Sequence, residues 1–385
     1  MSKNKINVFM VCGRTGGPFF PLPAVIDSLQ KHNPNINPIL IGVKNSFEQK
    51  AALSFNWTIR YLPEAKLSML SFDTTSENKI LTFLSSIADL LWNGFKLGFS
   101  FFKCLYLVQK FQPRMIYSTG SFLAVPLFLA AKLTNFVGLT RTKLIVHQQD
   151  PIAGISNRFC VKMSDLKSCV FDYTRTHYPD FVDAELITNP ILESKYTTAG
   201  QWQNLELQNF IKNAKKTKLL IFGGGSGAKF INNWVGDNHR ELTSDFDLVH
   251  LTGILQKKVS DKLNLVSSNE QFTKNQNYFS LPIVLVDMAI LLTSVDFVLC
   301  RAGLGTISEL EYLHKKAFLV PLPDSHQELN AELVKDKFVI LEQKNASNWL
   351  SQIKNSTIFE DKVYSSPVSS QDIDKYYERL SELCS

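Results

Sequence analysis

The feature that most constrains the fold is the stretch of residues 295–331, VDFVLCRAGLGTISELEYLHKKAFLVPLPDSHQELNA. An apolar strand ends at Cys300, a glycine turn follows, and a helix begins near Thr306. Such a strand, turn and helix N-terminus present unpaired backbone N–H groups and the positive end of a helix dipole to an anion. A second strand then ends beside polar residues. We therefore predict a diphosphate-binding crevice with a carboxylate, Glu309, and an amide, Gln327, close by.

The same order of strand, glycine loop and helix occurs near the start of each half of the chain. Residues 5–30 show it first, and residues 218–234 (KLLIFGGGSGAKFINNW) repeat it. Strand-like apolar runs alternate with helical stretches between them, which favours parallel sheets covered by helices. The sequence predicts an α/β chain with two Rossmann-like domains at 1–190 and 191–366. A last helix in 367–385 has an apolar face and is expected to pack back on the body.

Composition is that of an ordinary globular chain, and its charge is unevenly placed. Of 385 residues, 45% are hydrophobic and 20% charged, and the net charge is +6. Up to Pro190 there are 20 Lys and Arg residues against 12 Asp and Glu residues. A basic first half indicates an anionic partner such as a phosphorylated ligand or an acidic membrane surface, although charge alone favours a solvated basic face.

The cysteines and the N-terminus indicate a cytosolic protein. The six cysteines show no metal-ligand spacing, and most lie inside apolar runs, as reduced core residues do. The apolar run near the N-terminus has the length of a strand and leads straight into a glycine turn. We interpret it as the first strand of a domain and expect no signal peptide.

Residues 79–110 are very apolar and aromatic, yet Asp89, Lys96 and Lys103 interrupt them at regular intervals. These charges argue against a transmembrane helix, which needs about 20 apolar residues without such interruptions. Two interpretations stay open: buried core helices, or an apolar, lysine-flanked face that lies on a membrane surface. The aromatic residues concerned are Trp92, Phe95, Phe99, Phe101 and Phe102.

Two DxD sequences raise the question of a metal site. They are Asp245-Phe246-Asp247 and Asp372-Ile373-Asp374, and some nucleotide-sugar transferases hold a divalent cation with this spacing. The first precedes a predicted strand and the second lies on the predicted last helix, both away from the glycine loops. We interpret them as surface or capping carboxylates and predict no metal, because a helix N-terminus can stabilise a diphosphate without one.

Four motifs together resemble those of the MurG family, in the same order along the chain. They are CGRTGGPFFP, HQQDPIAGISNR, GGGSGAKFIN, and RAGLGTISEL followed by DSHQ. The family consists of inverting GT-B glycosyltransferases that move N-acetylglucosamine from UDP to lipid I, which gives lipid II. The resemblance implies the GT-B fold, with two Rossmann-like domains facing a cleft. It also implies UDP-N-acetylglucosamine as donor substrate, with no cofactor.

The resemblance places the donor site in the second domain. Glu309 would accept the ribose hydroxyls, N–H groups from Leu304 to Ser308 would face the diphosphate, and the backbone of Leu285 would read uracil. Gln327 would contact the sugar, while His326 could equally be a surface histidine. Glu309 alone would fit any first helical turn, but the full set favours function. The implied donor residues are Gly224, Gly225, Ser226, Leu285, Leu304, Gly305, Thr306, Ile307, Ser308, Glu309, His326 and Gln327.

The resemblance places a polyprenyl-diphosphate-linked acceptor on the first domain. The implied acceptor-diphosphate residues are Thr15, Gly16, Gly17 and Gly120. Because the acceptor is a lipid, the resemblance also favours the membrane interpretation of residues 79–110. It implies a peripheral protein on the cytoplasmic face of the inner membrane, and no nucleic-acid partner is expected.

The chain departs from the family at four positions that bear on activity. Pro18 stands where the family has histidine, Gln148 replaces glutamate, Asp150 replaces asparagine and Leu192 replaces an arginine. Glutamine cannot act as a base, so our hypothesis is that Asp150 is the catalytic base or orients the sugar. The alternative is an Asp-Pro turn that simply ends a strand.

Three other functions stay open on the sequence. One is another GT-B activity, either a glycolipid UDP-sugar transferase or a nucleotide-sugar epimerase. A second is a catalytically impaired UDP-sugar-binding scaffold, which the altered positions suggest. A nicotinamide-dependent enzyme is disfavoured, because no GxGxxG motif with a following ribose-binding acid is visible in the first domain.

Overall fold

The chain forms two compact units: Met1–Pro190 with Val368–Ser385, and Ile191–Pro367. We call them the N-terminal unit and the C-terminal unit. The computed structural model describes residues 5–12, 16–44, 49, 52–53, 55–63, 98–197, 202–224, 227–253, 267–268, 272–282, 287–355, 359–360, 362 and 370–384.

The N-terminal unit is built on a seven-stranded parallel sheet in the order β3-β2-β1-β4-β5-β6-β7. Its central strands are continuous buried apolar runs, as expected where helices cover both faces. The strands are β1 (Ile6–Val11), β2 (Ile36–Gly42), β3 (Thr58–Tyr61), β4 (Met115–Ser118), β5 (Lys143–Gln148), β6 (Leu166–Cys169) and β7 (Glu185–Leu186).

Helices cover this sheet on both faces. Those of the first 190 residues are α1 (Gly16–Phe19), α2 (Pro21–His32), α3 (98–111), α4 (Ala124–Phe136), α5 (Ile155–Cys160) and α6 (Asp172–His177), with 3₁₀ turns at Val161–Met163 and Pro179–Phe181. The helix Ser370–Cys384, at the end of the chain, belongs to the same unit. Its Tyr376 and Leu380 are buried in one core cluster with residues of β1 and α2.

The C-terminal unit is built on an eight-stranded sheet in the order β10-β11-β12-β9-β8-β13-β14-β15. The strands from β12 to β15 in that order pair in parallel, and β10 and β11 add an antiparallel edge. They are β8 (Thr217–Phe222), β9 (Phe246–Leu251), β10 (Ser267–Ser268), β11 (Phe272–Asn275), β12 (Tyr278–Leu281), β13 (Phe297–Arg301), β14 (Lys316–Val320) and β15 (Val339–Ile340).

The helices of the C-terminal unit follow the strands in the usual βαβ alternation. They are α7 (Ser194–Thr197), α8 (Leu205–Lys212), α9 (Lys229–Asp245), α10 (Met288–Ser294), α11 (Leu304–Tyr312), α12 (His326–Glu332) and α13 (Trp349–Lys354), with a 3₁₀ helix at Gln343–Asn348. The helix Ser370–Cys384 of the other unit is therefore α14. Residues of β8, β13, β14, α9 and α13 share one buried cluster.

Each sheet has a point at which the strand order reverses. In the N-terminal unit β1 lies between β2 and β4, and in the C-terminal unit β8 lies between β9 and β13. Ligands of open parallel sheets bind outside the carboxyl ends of the strands at such points. Both glycine loops of the sequence, after β1 and after β8, lie there. The predicted architecture of two parallel-sheet Rossmann-like domains is confirmed.

Candidate active site

The loop after β8 is shaped by a glycine that has no room for a side chain. A Cβ on Gly223 would lie 2.3 Å from the Cβ of Ala228 and 2.4 Å from its backbone nitrogen. Since a real Cβ essentially never comes this close, only glycine lets the loop fold back on the start of α9. The next residue, Gly224, is exposed and has a φ of 89°. Gly225 and Ser226 lie outside the described residues.

The helices that follow the two glycine loops of this unit begin without a side-chain cap. Ala228 precedes α9 and Gly303 precedes α11, and neither residue has a side-chain atom that can accept a hydrogen bond from its helix. By contrast, Asn204 caps α8 and Ser325 caps α12 through their side-chain oxygens. Neither N-cap residue therefore satisfies the first N–H groups of its helix, and within the described part of the chain these groups are available to an anion.

The start of α11 narrows the predicted set of diphosphate contacts. The N–H of Ile307 donates to the carbonyl of Gly303 at 3.0 Å, so it is part of the helix's own ladder. Ser308 is buried and its hydroxyl donates to Leu304 O at 2.9 Å. The prediction for Ile307 and Ser308 is therefore corrected: their polar groups are engaged within α11. Leu304, Gly305 and Thr306 remain as the first-turn donors.

A cavity of about 530 Å³ opens at the carboxyl ends of β8, β13, β14 and β15. The glycine loop and the start of α9 form one wall, and the segments after the other three strands form the rest. Its lining residues are Gly223, Gly227, Ala228, Lys229, Phe230, Asn233, Arg301, Leu322, Gln327 and Gln343. The size suits a small organic ligand, and the lining combines amide, cationic and backbone donors.

Two cations line this cavity, Lys229 and Arg301. The guanidinium of Arg301 donates to Val320 O at 3.2 Å and to Pro321 O at 3.1 Å. Partial burial lowers the pKa of Arg301, but a guanidinium stays charged at any physiological pH. The side-chain amide of Gln343 lies against the same group, in the orientation that turns its oxygen to the guanidinium. Leu192, which replaces the family's arginine, is not among the lining residues.

The predicted ribose ligand Glu309 already has a partner. Its Oε1 accepts a hydrogen bond of 2.6 Å from the hydroxyl of Tyr196, which lies on α7. Burial raises the pKa of Glu309, while the Tyr196 hydrogen bond and the charge of Lys195 oppose the rise. The tyrosine ring also packs at 5.4 Å from the ring of Tyr312, one turn after Glu309. The carboxylate is therefore held in a defined position.

The segment after β14 brings one of its two predicted sugar contacts to the cavity. Gln327 lines it, and its Oε1 accepts from the N–H of Leu322 at 3.1 Å, which fixes the side chain. His326 is exposed at the first position of α12 and does not line the cavity. Asn330 donates to Ala302 O at 3.2 Å and so ties α12 to the turn before α11. Leu285 lies outside the described residues.

On the N-terminal unit, the two acceptor-side glycine segments lie next to each other. The hydroxyl of Thr119, just before Gly120, donates to Pro18 O at 2.6 Å. Gly17 and Gly120 therefore follow adjacent strands, β1 and β4, at the same edge of the sheet. Gly16 and Gly17 open α1, and Thr15 lies outside the described residues.

Gly120 has a backbone that only glycine adopts readily. Its φ is 113°, and a Cβ there would lie 3.4 Å from the amide nitrogen of Asn157. Its own N–H donates to the Ser118 hydroxyl at 3.3 Å, a long hydrogen bond. A diphosphate at this position would have to compete with that contact.

Asp150 follows β5, the next strand along the same edge, and Gln148 shapes the loop that carries it. The Gln148 amide nitrogen donates to Asp150 O at 2.6 Å and to Ile152 O at 3.2 Å. Its amide oxygen accepts from Asn157 Nδ2 at 2.7 Å. The Asp150 side chain is half-buried. The structure thus brings Asp150, Gly120 and Gly17 to the carboxyl ends of three adjacent strands.

His147, the residue before Gln148, is buried in a polar network and does not face solvent. Its Nε2 donates to Asn189 Oδ1 at 3.3 Å, and its Nδ1 lies 3.0 Å from the Ser168 hydroxyl. That hydroxyl is also 3.0 Å from the hydroxyl of Tyr376 on α14. Burial lowers the pKa of His147 to about 4, so the ring is neutral at pH 7.

The carboxylates of the first DxD sequence, Asp245 and Asp247, serve structural contacts. Asp247 is buried and accepts hydrogen bonds of 2.7 Å from the backbone N–H groups of Lys215 and Lys216. Asp245 pairs with Lys354 at 2.6 Å. Within the described ranges, no group of three or more His, Cys, Asp or Glu side chains is arranged to hold a metal ion. The absence of a metal requirement stays a prediction.

One face of the N-terminal unit exposes apolar side chains. Residues of α3, α4 and α5 share a single buried core cluster, so the outer sides of these helices lie on the same face of the sheet. Phe102 is 71% and Phe136 88% exposed. We call this the apolar face; its exposed members are Phe99, Phe102, Tyr106, Leu129, Leu133, Phe136, Val137, Leu139, Ile152, Ile155 and Phe159.

The described part of residues 79–110, which begins at residue 98, contains both core-facing and exposed aromatic residues. Trp92 and Phe95 lie outside the described residues, whereas Phe101 packs partly against the core and Phe99 and Phe102 are exposed. In the part of the chain that the structure describes, no helix is long and apolar enough to cross a bilayer.

Comparison with known proteins places both units in one family. Residues 8–166 match the glycosyltransferase family 28 N-terminal domain, and residues 218–365 match the family's C-terminal domain. The chain belongs to glycosyltransferase family 28. The two matches take in both glycine loops, Asp150 and the whole stretch 295–331.

Named relatives of this family 28 chain are MurG-type enzymes. It is 25% identical over 407 residues to UDP-N-acetylglucosamine-N-acetylmuramyl-(pentapeptide) pyrophosphoryl-undecaprenol N-acetylglucosamine transferase of Caldicellulosiruptor saccharolyticus, with all of both chains covered. To the enzyme of the same name from Bacillus subtilis it is 27% identical, with 87% of this chain and 85% of the relative covered. The resemblance to the MurG family is confirmed, at the distance of a divergent member.

Solved structures agree on the fold. The family 28 chain superposes on Acinetobacter baumannii MurG with a TM-score of 0.64 at 19% identity, covering 97% of this chain and 99% of that one. It superposes on the UDP-GlcNAc 2-epimerase of Neisseria meningitidis, solved with UDP-GlcNAc bound, with a TM-score of 0.58 at 14% identity, covering 98% and 94%. At these identities the likeness concerns the fold, and the fold is GT-B.

Two residues of this glycosyltransferase's C-terminal unit were missed by the sequence reasoning. Gln343 lines the cavity, and its only signal was a polar residue soon after the last strand of the sheet. Tyr196 touches the predicted ribose carboxylate but lies in a stretch with no recognisable motif. The two cations of the cavity, Lys229 and Arg301, do not belong to a predicted contact set either.

Proposed function

We propose that the chain transfers N-acetylglucosamine from UDP-N-acetylglucosamine to the C4 hydroxyl of a lipid-linked N-acetylmuramyl peptide, the lipid I to lipid II step of peptidoglycan synthesis. The observation that carries the proposal is the cavity of the C-terminal unit. The uncapped start of α9 and two cations, Lys229 and Arg301, line this cavity. Glu309 is not among the lining residues; it lies on α11, the helix that follows the strand of Arg301. The names of the relatives supply the acceptor.

The donor side has the groups that a leaving UDP requires. First-turn N–H groups and two cations stabilise the two negative charges of a diphosphate, and they are in place before the reaction. Glu309 offers carboxylate oxygen to a ribose diol, and Gln327 offers an amide to sugar hydroxyls. Because these donors already meet the charge that develops on the diphosphate, we expect turnover to continue in EDTA. Loss of activity that magnesium restores would contradict this.

The acceptor side offers one new carboxylate. In the proposed step, the acceptor O4 attacks the anomeric carbon, the bond from that carbon to the UDP oxygen breaks, and UDP leaves with the electron pair. The proton of the O4 hydroxyl passes to Asp150, and the anomeric configuration inverts. The held loop around Gln148 supports this role, because a base must be positioned before it can act.

The role of Asp150 is tested by Asp150→Asn, which removes the base and keeps the shape. We expect transfer to fall at least a hundredfold, with UDP affinity unchanged, because general-base catalysis contributes about 10²–10⁴ in rate. Undiminished turnover of the variant would exclude Asp150 as the base and leave the Asp-Pro turn as its role.

A lipid acceptor makes a membrane surface the natural partner, and we propose peripheral binding on its cytoplasmic side. The apolar face supports this, since exposed aromatic and aliphatic side chains of this number are rare on a protein that stays in water. Basic residues accompany them on the same helices and loops: Lys103, Lys110, Lys132, Arg141 and Arg158. Such residues attract anionic headgroups.

The donor half of the proposal is tested by calorimetric titration of the full chain. We expect UDP-N-acetylglucosamine to bind more tightly than UDP-glucose, and Arg301→Gln to weaken UDP about tenfold or more while uridine is unaffected, because one charge-assisted contact is worth about 1.5–3 kcal/mol. Lys344→Gln, which removes an exposed cation outside the cavity lining, is the matched control. A chain that binds no UDP would overturn the proposed function.

A further inference from the structure

The short helix α7 reaches the predicted nucleoside site through one side chain. The hydroxyl of Tyr196 donates to Glu309 Oε1 at 2.6 Å, a short, charge-assisted hydrogen bond. Its ring packs at 5.4 Å and 46° against the ring of Tyr312, so it is held from the side as well. The contact joins residues that are 113 positions apart in sequence.

The hydrogen bond uses one oxygen of a group that has two. Among the described residues, Glu309 Oε2 accepts no hydrogen bond, whereas Oε1 is engaged. An ionised carboxylate has about four lone-pair sites. With Oε1 pinned by Tyr196, the carboxylate cannot rotate freely, and Oε2 keeps a fixed direction.

We propose that Tyr196 is a positioning residue for the nucleotide: it holds the Glu309 carboxylate so that this group accepts the vicinal diol of the ribose. The inference rests on the proposed function, because it needs a nucleotide donor. It adds a residue outside the recognised motifs to the site. The gain in affinity is one of preorganisation, because the carboxylate is already fixed when the ligand arrives.

A second contact joins residues that follow α7 to the predicted nucleoside site. The backbone N–H groups of Gln203 and Asn204 donate to the two carboxylate oxygens of Asp287, each at 2.9 Å. Asp287 is buried, precedes α10 and stands two residues after Leu285, the predicted uracil contact. The described residues on both sides of 198–201 thus contact the C-terminal unit near the predicted nucleoside site: Tyr196 bonds to Glu309, and Gln203 and Asn204 bond to Asp287. Two independent contacts argue against an incidental one at Tyr196.

The charges around Glu309 give the proposal a pH signature. Facing groups are Lys195 and Tyr196 on α7, Tyr312 on its own helix and Cys300 at the end of β13. Burial raises the pKa of Glu309, and the Tyr196 hydrogen bond counteracts the rise. Removing the Tyr196 hydroxyl therefore raises the pKa of Glu309 further. The Glu309 carboxylate is then protonated at a higher pH, and a protonated carboxyl accepts the ribose hydroxyls less well.

The test is a titration of the full chain with UDP and with 2′,3′-dideoxy-UDP, which lacks both ribose hydroxyls. We expect Tyr196→Phe to weaken UDP binding about tenfold, and to change dideoxy-UDP binding less than twofold. The loss of UDP affinity at low pH should begin at a higher pH in the variant. Tyr312→Phe removes the hydroxyl of the neighbouring ring and should leave all three measurements unchanged.

Four results would overturn the proposal. Equal losses for the two ligands would show that Tyr196 does not act through the diol. Unchanged UDP affinity and pH dependence would show that it does nothing for binding, and tighter binding would show that it competes with the ribose. In these three cases the wild type still binds UDP, so the proposed function survives. A wild type that binds no UDP would remove both proposals.

Discussion

At the scale of single residues, Gln148 is a departure from the family with a physical reason. Its amide donates to two backbone carbonyls, Asp150 O and Ile152 O, and accepts from Asn157. An ionised carboxylate can accept but cannot donate. A glutamate here would therefore face two carbonyl oxygens with nothing to offer them, and the observed loop geometry requires the amide.

We accordingly expect Gln148→Glu to destabilise the N-terminal unit by about 2–4 kcal/mol, since two donors are lost and a charge is placed against two carbonyls. The deficit should shrink as the pH falls, because a protonated carboxyl regains one donor. Denaturant unfolding at pH 7.5 and pH 5 measures both effects. Gln109→Glu, at an exposed site on α3, is the control, and an equal effect there would refute the argument.

The loop after β8 gives a second prediction at this scale. Gly223→Ala should cost several kcal/mol or displace the loop, because the added Cβ would lie 2.3 Å from that of Ala228. UDP affinity should fall at least tenfold. Gly236→Ala, inside α9 and with nothing within 4 Å of its added Cβ, should be stabilised by about 0.5–1 kcal/mol and bind UDP normally. Equal UDP affinity in both variants would contradict the prediction.

The sequence could locate residues whose role depends on local pattern, and not those that depend on distant contacts. The glycine loops after β1 and β8 were predicted because a strand, a glycine turn and a helix follow one another in the chain. Tyr196 was not, because its contact with Glu309 spans 113 positions and depends on how two elements meet. The prediction that the N–H groups of Ile307 and Ser308 face the diphosphate did not allow for the helix itself, because after the first turn each N–H donates to a carbonyl of the same helix.

At the scale of elements, a buried polar network joins β5, β6 and α14. His147, Ser168 and Tyr376 are linked by contacts of 3.0 Å, and Tyr117 lies 3.4 Å from the Tyr376 hydroxyl. Each of these residues is completely buried. A fully satisfied network of this kind fixes how elements pack, because any slip would leave a buried polar group without a partner. The last helix is therefore held to the sheet in one position.

This network makes stability depend on pH. The pKa of His147 is lowered to about 4 by burial, below about 6.5 in an unfolded chain. Between these two pKa values the unfolded chain binds a proton that the folded chain does not bind. The contribution of His147 to the free energy of unfolding is therefore fully present above about pH 6.5 and is lost as the pH falls. The expected slope is about 1.4 kcal/mol per pH unit, or about 3 kcal/mol down to pH 4.

His250 contributes to the pH dependence of stability in the same direction, because burial in the C-terminal unit lowers its pKa to about 3. Denaturant unfolding between pH 7.5 and 4 measures the slope. His147→Gln should be less stable at pH 7.5 and lose less on acidification, whereas His32→Gln, at an exposed position, should follow the wild type. A His147→Gln variant with the full wild-type slope would show that this histidine is not the titrating group.

The elements also show where apolar pattern stops being informative. Buried strands such as β8 and β13 were read correctly, since a short apolar run beside a glycine turn has few other interpretations. The environment of the helix α3 was ambiguous, because an apolar, aromatic helix has the same sequence pattern whether its outer side packs in a core or lies on a membrane. Only the fold shows that Cys104 and Leu107 face the core while Phe102 faces outward.

At the scale of the whole molecule, the predicted donor-side and acceptor-side features lie on different units. The C-terminal unit carries the cavity, and the N-terminal unit carries the acceptor-side glycines, Asp150 and the apolar face. The excess of basic residues is confined to the part of the chain up to Pro190. Apolar surface inserts into a membrane interface, and positive charge attracts anionic headgroups. The N-terminal unit has both, as binding to a lipid-linked acceptor in an anionic membrane requires.

Flotation on liposomes tests this arrangement. We expect the chain to float with phosphatidylglycerol-containing vesicles and less with neutral ones, and high salt to reduce binding. A double change of Phe102→Ser and Phe136→Ser should reduce binding about tenfold or more, because each exposed ring contributes about 1–2 kcal/mol on insertion. Leu205→Ser, an exposed leucine of the C-terminal unit, is the control. No flotation at all would show that the apolar face serves another purpose.

The most direct test of the whole account is a transfer assay with UDP-N-acetylglucosamine labelled in the sugar. We predict that label enters the lipid fraction only when undecaprenyl-diphosphate-linked N-acetylmuramyl pentapeptide is present, with one UDP released for each sugar transferred. Binding of the donor without labelled lipid would contradict it and indicate a catalytically impaired scaffold. Consumption of the donor without an acceptor would contradict it equally and indicate an epimerase.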